Sequence, residues 1–130
     1  MSGALLDTSV VISSDPEGRL DLPATAAISV MTLGELHAGV GLARDDAARL
    51  ARARRLARVR AAFLPIDVDA TVAECYGEVL AAARRGGRTA KATDVIIIAT
   101  ARATQRELVT LDERQARLAG AIGQPVRVPG

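Results

Sequence analysis

Short apolar runs that stop at a polar residue and pass into helical patterns constrain this chain more than any other feature. Ala4-Leu5-Leu6 ends at Asp7 and leads through Thr8-Ser9 to Val10-Val11-Ile12. Ala26 to Val30 leads into Thr32-Leu33-Gly34-Glu35, which has the form of a capping box at a helix entrance. Glu107 to Thr110 leads through Leu111-Asp112 to a short helix over 113–119. Apolar runs of strand length separated by helices are the mark of a parallel sheet, because parallel neighbours need crossover connections. The predicted class is therefore a three-layer α/β/α sandwich with a mostly parallel central sheet.

The intervening segments fit that plan. From Asp45 to Phe63, apolar residues recur at Leu50, Ala53, Leu56 and Val59 with arginines between them, as an amphipathic helix requires. Leu64-Pro65-Ile66 reads as a brief extended piece, and Val126-Arg127-Val128 as an edge strand. Asp69 or Thr71 opens a helix through Ala83 that Gly86-Gly87 ends. Thr93 is placed to cap a helix with Asp94 in its first turn and a body, Val95 to Ala103, apolar on nearly every side and hence buried. The run over 13–23, with Asp15-Pro16-Glu17-Gly18, reads as turn, and residues 1–130 read as one domain.

Composition narrows the chemistry. Hydrophobic residues make up 49% of the chain but aromatics only 2%, Phe63 and Tyr76, which argues against modules that hold bases on aromatic platforms. One cysteine, Cys75, and one histidine, His37, cannot assemble a Cys/His zinc site or an internal disulfide. His37 reads as a surface or structural residue and Cys75 as a small core residue. No secretory signal is recognisable at the start, and the run 95–101 is too short to span a bilayer, so a cytoplasmic protein is expected.

What remains is carboxylate chemistry. Asp7, Glu35, Asp94 and Asp112 are distant in sequence, yet each falls at a strand end or a helix start. In an open parallel sheet those positions line one crevice. Singly, each acid is also explained as a cap or turn residue. As a cluster they repel by about 4 kcal/mol per close pair at an effective dielectric near 20, and so require a cation or protons. Oxygen-only donors select a hard ion, Mg²⁺ or Mn²⁺, which suits phosphodiester hydrolysis.

These segments also resemble a known family. Leu5-Leu-Asp-Thr-Ser-Val-Val-Ile12 looks like the opening motif of PIN-domain proteins, and Thr32-Leu-Gly-Glu-Leu-His-Ala-Gly39, Lys91-Ala-Thr-Asp-Val-Ile-Ile-Ile-Ala-Thr-Ala101 and Leu108-Val-Thr-Leu-Asp112 resemble its later acid motifs in order and spacing. The resemblance implies that Asp7, Glu35, Asp94 and Asp112 are catalytic and bind divalent metal, with Ser9 or Thr110 as polar support. A stand-alone domain of this length is similar to VapC toxins. That likeness implies endoribonuclease activity, a VapB-type antitoxin as partner and homodimerisation. No aromatic follows Asp112 where relatives often carry one.

Two other classes remain open at this level: a catalytically inactive PIN-fold module that binds RNA or protein, and a metal-dependent DNA nuclease. Net charge is only +2, but arginines gather over 44–60 and again at Arg84, Arg85 and Arg88. The second group approaches Asp94 along the chain and is the expected phosphate-binding patch. For an antitoxin, Leu33, Leu36, Val40, Leu56 and Val59 are either an apolar docking groove or simply core.

Overall fold

The structure, a computed structural model, describes residues 3–13 and 25–129. The run predicted as turn, apart from its first residue, lies outside the described residues. Within them, five strands form one sheet: β1 (Ala4–Leu6), β2 (Ala26–Ser29), β3 (Leu64–Ile66), β4 (Glu107–Val109) and β5 (Val126–Arg127). The spatial order is β3-β2-β1-β4-β5, and every pairing is parallel. Six helices make the connections: α1 (Thr8–Ser13), α2 (Val30–Gly41), α3 (Asp46–Ala62), α4 (Ala70–Arg85), α5 (Ala92–Ala103) and α6 (Glu113–Ala121).

The three central strands, β1, β2 and β4, are short and largely buried while the edge strands β3 and β5 are not, and period-2 alternation divides the core. Leu5, Ala27 and Leu108 face one cluster with Val79 and Ala83 of α4, Val95, Ile97 and Ile98 of α5, and Leu118 of α6. Ala4, Leu6, Ile28 and Val109 face a second cluster with Val10 and Val11 of α1, Leu36 of α2, and Leu56 and Val59 of α3. This is the expected sandwich, with α5 as its most buried helix: six of its residues are inaccessible, including Ile97 and Ile98. Because Leu36, Leu56 and Val59 are buried where α2 packs on α3, and Leu33 and Val40 pack against them, that apolar set is core and not a docking groove.

Two helix starts differ from expectation. The cap of α2 is Ser29, whose hydroxyl accepts from the Met31 amide at 3.1 Å, so Thr32 and Glu35 lie inside the helix and form no capping box. Likewise α5 begins after Lys91 without a side-chain cap, and Thr93 is a helical residue. The other caps follow the sequence: Asp45, Asp69 and Asp112 accept amides of α3, α4 and α6. At the end of α4, Gly87 takes a φ of 70°. That left-handed step lets the Arg88 amide reach back to the Ala83 carbonyl at 2.8 Å and turns the chain toward the start of α5. Among the described residues no helix is long and apolar enough to cross a membrane.

Candidate active site

The connections leave the sheet from its carboxyl edge, and β1 is where their direction reverses. The chain steps from β1 to β2 on one side, while β4 lies on the other. A crevice opens at such a switch point. Asp7 follows β1 directly, and its amide donates to the Val109 carbonyl at the end of β4 at 2.8 Å. Thr110, Leu111 and Asp112 continue β4 beside it. Glu35 stands one turn into α2, and Asp94 in the first turn of α5.

Hydroxyl groups fix one half of this arrangement. The carboxylate Oδ2 of Asp7, which is nearly buried, accepts from Ser9 Oγ at 2.7 Å and from Thr110 Oγ1 at 2.9 Å. The same two oxygens accept the amides of Leu111 at 3.0 Å and Asp112 at 3.0 Å, so the loop after β4 is tied to Asp7. Thr8 Oγ1 donates to Glu35 Oε1 at 2.7 Å, and its contact with Thr32 Oγ1 at 2.9 Å is then made with Thr32 as donor, since Thr8 has only one proton to give. Ser9 and Thr110 were legible as polar support. Thr8's contact with Glu35 and the part of Thr32 were not, because those bonds join residues 24 and 27 positions apart on different elements.

The other half is held differently. Asp112 caps α6, with Oδ1 accepting from the Arg114 amide at 2.9 Å and the Gln115 amide at 3.3 Å. No group among the described residues donates to the Asp94 carboxylate. Burial, and then the negative fields of Asp7, Glu35 and Asp112, push the Asp94 carboxyl above the usual carboxylate range, with Lys91 opposing. Three other acids felt at one carboxyl place the four together electrostatically. Gln115, buried, links the two helix starts by donating from Nε2 to the Asp94 backbone carbonyl at 3.0 Å.

Asp94 and Asp112 line a cavity of about 290 Å³ that is rimmed by Arg88, Lys91, Arg114 and Arg117. Of the three arginines expected to hold phosphate, Arg88 reaches this cavity. Arg85 lines a neighbouring one with Arg88 and Arg102, and Arg84 lines none of those described. Lys91, Arg114 and Arg117 had not been singled out; their offsets from Asp94 and Asp112, −3, +2 and +5, were the available signal. His37 is exposed. Cys75 is half-buried on α4, where burial and then Glu78 raise its thiol, which disfavours thiolate chemistry.

Hard oxygen donors without sulfur or nitrogen ligands match a hard divalent cation in chemistry. Oxygens Oδ1 of Asp7, Oε2 of Glu35, Oδ2 of Asp112 and both oxygens of Asp94 accept no hydrogen bond among the described residues and are available as ligands. As they stand, no three such side chains among the described residues are arranged to hold an ion, so binding one requires side-chain adjustment.

A five-stranded parallel sheet with acids gathered at the carboxyl ends of its central strands defines a PIN-like α/β fold. The PIN domain profile matches residues 4–121, and the chain belongs to the PIN-domain family. It is 44% identical over 100 residues to Ribonuclease VapC8 of Mycobacterium tuberculosis, covering 75% of this chain and 88% of that one. It superposes with a TM-score of 0.83 and 28% identity on the crystal structure of VapBC-5, a member of the VapBC family of toxin–antitoxin systems from Mycobacterium tuberculosis, over 98% of both chains. FitAcB from Neisseria gonorrhoeae is similar at 26% identity and a TM-score of 0.71, over 95% of each chain.

Proposed function

We propose that this chain is a metal-dependent endoribonuclease that acts as a toxin and is neutralised by a VapB-type antitoxin. The observation that carries the catalytic part is the geometry of the crevice: Asp7 follows β1, Ser9 and Thr110 tie it to the loop after β4 that carries Asp112, and Asp94 and Asp112 line one cavity with a cationic rim. The likeness to a VapC ribonuclease and to a VapBC structure supplies the substrate class and the partner.

In this reading Asp7, Glu35, Asp94 and Asp112 hold Mg²⁺ or Mn²⁺. A bound ion of this kind acidifies a water and stabilises charge at the scissile phosphate. Ser9 and Thr110 keep Asp7 turned so that Oδ1 stays open, and Thr8 does the same for Glu35 Oε2. Asp94, with no donor of its own, is the carboxylate whose negative charge is least compensated. The rim of Arg88, Lys91, Arg114 and Arg117 attracts the substrate's phosphates. An antitoxin arginine or lysine entering the crevice would satisfy the same acids and exclude metal.

The test is cleavage of a single-stranded RNA by purified protein with Mg²⁺ or Mn²⁺, against EDTA and against DNA of matched sequence. Metal-dependent cleavage of the RNA alone is expected, and coexpression with a VapB-type antitoxin should yield an inactive complex. Inert RNA under both metals would overturn the reading, and equal cutting of the DNA would make the chain a general nuclease.

A further inference from the structure

The cavity beside Asp94 and Asp112 contains an acceptor whose direction is fixed. Gln115 lines it, and because the Asp94 backbone carbonyl can only accept, the Gln115 amide is oriented with Nε2 toward that carbonyl at 3.0 Å. Its Oε1 accepts no hydrogen bond among the described residues. Around it stand the cationic donors Arg88, Lys91, Arg114 and Arg117, the apolar wall is Ala90 and Leu118, and Asp94 and Asp112 close the side toward the acid crevice. At about 290 Å³ the space is at the lower end of the ligand range.

We propose that this cavity is a nucleobase subsite that takes a guanine next to the scissile phosphate; the inference rests on the ribonuclease reading above. Guanine offers a donor edge, N1–H and the N2 amino group, to Gln115 Oε1, and on its other side two adjacent acceptors, O6 and N7, which match a bidentate guanidinium. Adenine has no adjacent pair of acceptors, and uracil separates its two carbonyls by N3–H. Cytosine has adjacent acceptors, N3 and O2, but its amino donor shares their edge, whereas guanine turns its donors and its paired acceptors to different sides, as a glutamine and an arginine on facing walls require. With no aromatic residue lining the cavity, guanidinium planes supply the contact to the base face.

The experiment uses the purified chain with Mn²⁺ and a pool of RNAs randomised at the positions flanking a central linkage, with the cleaved ends sequenced. The readout is the ratio of cuts beside guanine to cuts beside each other base, which is independent of total rate. Wild-type protein should favour guanine at one flanking position by about 10-fold or more. Gln115→Met, Arg114→Gln and Arg117→Gln should each be compared by the same ratio; at least Gln115→Met and one arginine variant should bring it within about threefold of unity. Thermal melts identify any variant that fails to fold, and the remaining variants still decide the outcome. Cleavage without a guanine preference, or with a preference unchanged in all folded variants, overturns the subsite alone. Wild-type protein that cuts none of the pool overturns both the subsite and the ribonuclease reading.

Discussion

The two halves of the acid crevice are built on opposite terms. Asp7 and Glu35 are each held by hydroxyl donors that lie within 2.9 Å and bring no net charge. Asp112 spends one oxygen on capping α6, and Asp94 has no donor among the described residues. Hydroxyls orient a carboxylate, whereas a carboxylate with no donor, in the fields of other acids as Asp94 is, keeps the cost of its charge until a cation or proton arrives. The first half is thus a fixed frame, and on the proposed reading the second is where a cation would be gained.

The comparison breaks most visibly if acids of both halves are neutralised in turn. Asp7→Asn and Asp94→Asn are each expected to reduce RNA cleavage by more than about 100-fold with the fold intact, since each removes an anionic ligand that the amide cannot replace. Single-turnover cleavage with a circular-dichroism melt as control checks this, and unchanged cleavage by either variant refutes the shared site. The frame itself is tested by Thr110→Val, which keeps the shape but removes the donor to Asp7 and the acceptor of the Asp112 amide. A loss of about 10- to 100-fold in metal affinity or activity is expected. Because Thr110 is fully buried, about 1–3 kcal/mol of stability should go with it in urea unfolding. A smaller effect distinguishes the arginines: Arg88→Gln should weaken RNA binding across sequences and lower the salt slope by about 0.7, while Arg84→Gln should leave it unchanged. Equal slopes for the two would make the rim a solvated face.

The legible part of this molecule was what local pattern determines. Leu5 and Leu6 before Asp7, the amphipathic run ending at Phe63 and the largely apolar Val95–Ala103 body each carry their fold in a few neighbouring residues. The placement of Asp7, Asp94 and Asp112 at strand ends and helix starts was legible in the same local pattern, whereas Glu35 lies one turn inside α2. What escaped depends on residues brought together from afar. Thr32 looked like a cap because Thr-x-x-Glu is a local signature, but Ser29 starts the helix three residues earlier and frees Thr32 to meet Thr8 across the crevice. Gln115 gave no signal at all: its role follows from α6 packing against the first turn of α5. Leu36, Leu56 and Val59 were ambiguous between groove and core for the same reason, since periodicity shows an apolar face and not its neighbour.

The finest distinction between the halves is a stability effect of Asp94. Its carboxyl is raised in the folded protein by burial and by three acids, whereas in the unfolded chain those influences vanish. Below the unfolded-state value both forms are protonated and the folded state bears no penalty. As pH rises through the raised folded value, the folded state must ionise a carboxyl that its surroundings resist, and stability is lost. Asp94→Asn carries no such group, so without divalent metal the variant should melt higher than wild type at neutral pH, by a few degrees at most given the partial exposure of the side chain. The gap should close as pH falls through the folded value toward the ordinary carboxylate range. Adding Mn²⁺ at neutral pH should raise the wild type more than the variant and narrow the gap from the other direction. Differential scanning fluorimetry across pH, with and without Mn²⁺, measures both. A variant that melts lower than wild type at neutral pH in EDTA would mean that the Asp94 carboxylate is already compensated, and the contrast between the two halves would fail.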